Sequence, residues 1–176
     1  MITIRPATPN DVAHLSALLA PHIMRGHILP RTIDPDTFQV AIDGDLLVGA
    51  VALTPQSNRV IELGSLVSKR PNSGLGGRLV DTAIARAADS GYEVVMALSH
   101  LTSFFERLGF LPAPHAPWIS ARRDLKMAFP RPLNPDADAI EAADAKSATC
   151  KGCPRLGACR QTLLLRRLSV HKRRRA

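Results

Sequence analysis

The chain has 176 residues, 45% of them apolar, with 23 Lys and Arg against 15 Asp and Glu for a net charge of +8. That is enough for one proper core and too short for two ordinary domains. No run approaches the roughly 18 uncharged apolar residues of a membrane span and no basic-then-apolar leader opens the chain, so a soluble, cytoplasmic protein with no membrane partner is expected.

Residues 1–5 alternate as a short edge strand, and Thr8-Pro9-Asn10-Asp11 supplies an N-cap, a helix-starting proline and an acidic residue at N3. Val12, Leu15, Leu18 and Leu19 form the apolar stripe of a first helix that Pro21 is expected to stop, with 22–30 a second short helix or a loop. Residues 38–42 and 46–53 are apolar strand runs joined by Asp43-Gly44-Asp45, a hairpin signal. Residues 60–67 (VIELGSLV) read as an interior strand with one carboxylate, Glu62. A turn rich in glycine follows, then a helix with Leu79, Val80, Ala83, Ile84 and Ala87 on one face, ended by Ser90-Gly91. Residues 92–98 form another buried strand, which makes a βαβ unit with two parallel strands. SFFERLGF (103–110) is a short helix closed by Gly109, 111–148 reads as mostly extended loop, and 161–168 is a returning strand.

The turn Pro71-Asn72-Ser73-Gly74-Leu75-Gly76-Gly77 sits where backbone N–H groups converge at a helix N-terminus. Its glycines remove the Cβ atoms that would keep an anion away, and a pyrophosphate fits such a site. Tight packing alone would use the same residues. It is not a Walker loop, since no Gly-Lys-Ser/Thr follows.

In order and spacing, IRPATPNDV, the Asp-Gly hairpin, the strand ending in SLV, the glycine turn and FFERLGF resemble the GNAT N-acetyltransferase superfamily over roughly residues 1–110. GHILPRT (26–32), IELGSLV and SFFERLGF are most similar to the short N-acetylglutamate synthases that lack a kinase domain. The resemblance implies an α/β fold with a mixed central sheet, splayed between strands four and five and flanked by helices. One domain would then span 1–168, with a loop-rich insertion at about 111–158 and a basic, disordered tail at 169–176.

The resemblance also implies acetyl-CoA as co-substrate, a small amine as acceptor, and acyl transfer without a covalent intermediate, with L-glutamate the leading acceptor and arginine biosynthesis the setting. The backbone of Leu66 and Val67 would hold the pantetheine arm, that of Ser73, Gly74, Leu75, Gly76 and Gly77 the pyrophosphate, and Phe104 would lie beside the cofactor. Two departures stand out. Pro71 occupies the Gln/Arg position of the family's turn and has no N–H to donate, and Phe105 stands where many relatives carry a Tyr that protonates the departing thiolate. An acetyl-CoA-sensing regulator, or an acetyltransferase for a protein or another amine, therefore remains as an alternative, and a homodimer is left open.

A carboxylate inside an apolar strand takes a proton or pairs with a cation, so Glu62 is either the general base for the amine or an ion-pair partner of Arg59 or another basic residue. His100, just past the fifth strand, is a weaker candidate base. An acidic acceptor needs guanidinium partners; Arg31 is the first candidate, Arg59 the second, with Ser99 beside them. Cys150, Cys153 and Cys159, spaced C-x2-C-x5-C, suit a zinc or iron–sulfur knuckle that is one ligand short, or else plain packing. Six of the cations, Arg166, Arg167, Lys172, Arg173, Arg174 and Arg175, fall at the C-terminal end; nucleic acid is not expected as a partner, because no aromatic residues interleave them.

Overall fold

The computed structural model describes residues 1–113, 139–140, 142 and 161–169. Seven strands form one sheet in the order β1-β2-β3-β4-β5-β7-β6. They are β1 (Ile2–Pro6), β2 (Phe38–Asp43), β3 (Leu46–Pro55), β4 (Val60–Ser68), β5 (Val94–Ser99), β6 (Leu111–Pro112) and β7 (Thr162–Arg167). All neighbours are antiparallel except β4 and β5, which run parallel because α2 (Leu75–Asp89) carries the chain back between them. Gly44, at φ 59°, makes the tight turn of the β2–β3 hairpin.

The β4–β5 ladder holds only Val60 to Val94, Ile61 to Val95 and Glu62 to Met96. Beyond that point β4 continues to Ser68 against β3, and β5 continues to Ser99 against β7, without pairing to each other. The sheet is therefore mixed and splayed between its fourth and fifth strands, as expected. The cause lies in β4: between Ala50↔Val67 and Ala52↔Gly64 it carries one more residue than β3, and Ser65 at that bulge has φ 48°. A bulge bends its strand and exchanges the faces its side chains meet. Ile61 and Leu63 accordingly pack in the cluster under α2, whereas Val67 packs in the cluster under α1 (Val12–Met24).

The α2 stripe of Leu79, Val80, Ala83, Ile84 and Ala87 is buried on one face of the sheet with Val51, Leu53, Val95 and Leu164. Leu15, Leu18 and Leu19 of α1 cover Val40, Ala50 and Ala52 on the other. That second face also carries a separate patch of Val60, Val94, Met96, Leu163 and Leu165, which Ala139 joins. No helix among the described residues is long and apolar enough to cross a membrane.

One expectation needs correction. Pro21 does not stop α1, which continues to Met24; Pro21 is exposed, while Ile23 packs on the α1 cluster, so the last turn gains burial that offsets the lost backbone bond. Gly26, at φ 68°, donates its N–H to the Ile23 carbonyl and is the real stop. The helix-start signal at Thr8–Asp11 holds, as a 3-10 turn over Pro9–Asp11 ahead of α1, in which Asp11 accepts from the Thr8 N–H at 2.7 Å and from Arg5 through both carboxylate oxygens. Of 111–148, read as mostly extended loop, the described residues include Leu111–Pro112, which forms β6 against the edge offered by Leu164 and Leu165 of β7, and a fully buried Ala139; the rest lies outside the described residues. The helix expected at 103–110 is α3 (Thr102–Glu106), continued by a turn to Gly109 at φ 78°.

Candidate active site

Glu62 is 6% exposed and lies on the α1 face of β4, between the α1 cluster and the patch around Met96. Its cross-strand partner is Thr54, whose side chain therefore shares its face. The Thr54 hydroxyl accepts a hydrogen bond from Arg31 Nη2 at 3.2 Å, and the guanidinium carbon of Arg31 stands 5.4 Å from the centroid of the buried Phe38 ring. Gln56 Nε2 donates to Glu62 Oε2 at 3.2 Å. The chain thus brings the acidic and the basic candidate onto one surface, although they are 31 positions apart in sequence. A carboxylate that can take a proton and a guanidinium that can hold an anion lie where β4 leaves β5.

The cofactor candidates fall at the opposite end of β4 from its first residues. Val67 pairs with Ala50, and Leu66 belongs to the bulge, so the β4 edge facing away from β3 has no strand partner there among the described residues. Its backbone groups are the kind that hold an extended amide chain. From Ser68 the turn leads directly into α2. Ser73 Oγ donates to the Arg70 carbonyl at 2.7 Å, Asn72 and Gly74 take positive φ (58° and 76°), and Leu75 opens the helix. The first intrahelical bond is Arg78 N–H to the Gly74 carbonyl, which leaves the Gly76 and Gly77 amides in the first turn, where donors point outward. A Cβ on Gly76 would stand 3.5 Å from the Phe104 ring, so that ring closes one side of the cradle.

The remaining candidates have other settings. Arg59 Nη2 donates to Glu93 Oε2 at 2.6 Å, tying the β3–β4 turn to the start of β5 and holding the Glu93 carboxyl below its usual range. Ser99 ends β5 and accepts from the Leu101 N–H at 3.0 Å, which shapes the entry to α3. Phe105 is buried edge-on between Phe104 and Phe110. Arg70, next to Pro71, pairs with Asp43. Cys150, Cys153 and Cys159 lie outside the described residues; among the described residues no three His, Cys, Asp or Glu side chains gather as a metal site. Thr54 and Gln56 were not singled out from sequence; the strand register reveals the first and a hydrogen bond to Glu62 the second.

Residues 13–110, more than half the chain, match the model of the Acetyltransferase (GNAT) family. The chain belongs to the GNAT acetyltransferase family. Among solved structures, this GNAT chain is similar to the N-acetylglutamate synthase from Neisseria gonorrhoeae complexed with coenzyme A and N-acetyl-glutamate. The TM-score is 0.69 and the identity 23%, over 96% of this chain and 35% of that one. The GNAT chain thus spans about a third of the length of that synthase. It is also similar to Rv2747 from Mycobacterium tuberculosis in complex with CoA and NLQ (TM-score 0.65, 20% identity, 95% of this chain and 99% of that one). A putative N-acetyltransferase from Lactobacillus plantarum is a third neighbour (TM-score 0.57, 18% identity, 96% and 98%). At these identities the likeness speaks for the fold. Comparison with curated proteins gives no match.

Proposed function

We propose that the chain transfers an acetyl group from acetyl-CoA to the amine of a small acidic acceptor, with L-glutamate the leading candidate and N-acetylglutamate for arginine biosynthesis the product. The observation that carries this reading is the gathering of Glu62, Thr54 and Arg31 at the point where β4 parts from β5. Arg31 is the acceptor's carboxylate partner. Glu62, through a water molecule, takes the ammonium proton, and the amine lone pair then attacks the thioester carbonyl. The tetrahedral adduct gives its second N–H proton to solvent, the C–S bond breaks and the thiolate leaves, to be protonated by solvent, since Phe105 carries no hydroxyl.

The first turn of α2 and the open edge of β4 fit the pyrophosphate and the pantetheine arm of the cofactor. A cytoplasmic setting and a single domain over 1–168 go with the same reading. It is supported by the coenzyme A and N-acetyl-glutamate named for the Neisseria synthase.

The test is release of free thiol from acetyl-CoA against a panel of amino acids. Turnover confined to glutamate is expected. Turnover on neutral amino acids at equal kcat/KM would remove the acidic acceptor. Coenzyme A binding without turnover on any amine would leave a sensor in place of an enzyme.

A further inference from the structure

Gln56, at the start of the β3–β4 turn, has no part in the acyl transfer described above. Its Nε2 reaches two oxygens, the Thr54 carbonyl at 3.3 Å and Glu62 Oε2 at 3.2 Å. A primary amide nitrogen has two hydrogens and its oxygen has none. With both neighbours acting as acceptors, the amide has one satisfactory orientation, nitrogen toward the carboxylate. The backbone beneath it is held too. Gln56 N–H and Ser57 N–H both donate to the Val60 carbonyl, at 2.9 and 3.1 Å, while Ser57 Oγ accepts from the Arg59 and Val60 amides at 3.2 and 3.1 Å.

We propose that Gln56 is a positioning residue for Glu62: its amide ties Oε2 to the turn and so aims Oε1 along β4 toward the half of the strand that has left β5. The proposal rests on the reading of Glu62 as the base.

The other carboxylate oxygen lies over Gly64, where a Cβ would stand 3.4 Å from Oε1. Gly64 is two residues further along β4, past the last β4–β5 pair. A glutamate carries three side-chain torsions, and a base must be held within a fraction of an ångström of the water it deprotonates. The hydrogen bond from Gln56 to one oxygen restricts that freedom. The absent Cβ at Gly64 leaves the space in which the second oxygen lies.

The experiment is a double-mutant cycle in the full-length chain, with kcat and both KM values measured by thiol release on the best acceptor of the panel. Gln56→Met keeps the length and loses the donor. It is expected to lower kcat about tenfold with both KM values within about twofold, and Glu62→Gln to lower kcat further. In the Glu62→Gln background, Gln56→Met is expected to have no additional effect, since there is no base left to aim.

An unchanged kcat in Gln56→Met, or the same loss in both backgrounds, overturns the positioning role and leaves Gln56 as a structural part of the turn. Full activity in Glu62→Gln overturns the base itself, an outcome distinct from the other two. If Gln56→Met does not fold, Gln56→Asn replaces it. One methylene shorter, the asparagine cannot span the Thr54 carbonyl and Glu62 together, and the same split is expected.

Discussion

Glu62 is legible from sequence because a lone carboxylate in an apolar strand has to be explained, and Arg31 because an acidic acceptor requires a guanidinium. Thr54 and Gln56 are not, because an ordinary Thr and Gln at the end of a hairpin acquire meaning only from the register that sets Thr54 opposite Glu62 and the hydrogen bond that ties Gln56 to it. Two predictions belong at this scale. Glu62→Gln should lower kcat by about 10²- to 10⁴-fold, the range of general base catalysis, and leave the Kd for coenzyme A within about twofold. Loss of the folded spectrum in this variant would instead mark Glu62 as a structural partner in the strand. Arg31→Ala should raise KM for an acidic acceptor about tenfold or more and leave cofactor binding unaltered. The pair on Thr54 and the stacking on Phe38 make some loss of stability expected as well, so the decisive control is a neutral acceptor. An equal rise in its KM would count against a carboxylate contact.

Among the elements, the strands and α2 followed their hydrophobic periods closely, while helix ends depended on packing that no local pattern reveals. Pro21 reads as a stop and is not one, since what the last turn of α1 buries through Ile23 is decided by residues far off in sequence. The start of α1 illustrates the reverse, for the Thr8–Asp11 signal holds but its strongest partner, Arg5, comes from β1. Arg5 and Thr8 together keep the Asp11 carboxyl far below the usual carboxylate range. A depressed folded value means a contribution present above the unfolded pKa of about 3.9 and lost as pH falls through the folded one. Asp11→Asn should therefore cost about 1–2 kcal/mol at neutral pH, discounted because Arg5 is 40% exposed. The gap between the two proteins should shrink progressively as pH falls from about 4 into strong acid. Urea melts at several pH values will reveal this, and a constant gap down to strong acid would dismiss the ion pair as its source. At the start of α2, Gly76→Val should weaken coenzyme A binding at least tenfold by calorimetry, because branched carbons would crowd both Phe104 and the first-turn amides. Unchanged binding would remove the cradle.

Across the whole molecule, the order of strands along the sheet differs from their order in sequence, and this is where a reading confined to the family match over 13–110 is least complete. The last strand in the chain, β7, inserts between β5 and β6 and pairs with β5 along its entire length. Leu163, Leu164 and Leu165 are all buried, Leu164 in the cluster under α2 and the other two in the patch around Met96. Arg166 adds a bond from its guanidinium to the Leu108 carbonyl, so two of the cations counted with the basic C-terminal end belong to a strand of the sheet. At about 1.5–3 kcal/mol per buried leucine the three side chains contribute about 5–9 kcal/mol, before the β5 backbone bonds are considered. That is comparable with the whole net stability of a domain, about 5–15 kcal/mol. A chain ended at residue 160 should consequently lack a cooperative thermal transition and bind no coenzyme A, although every cofactor and acceptor candidate on β4, α2 and α3 is still present in it. A cooperative melt in that truncated chain, with coenzyme A affinity retained, would show that β1 to β5 hold the splayed site without the strand that closes the sheet.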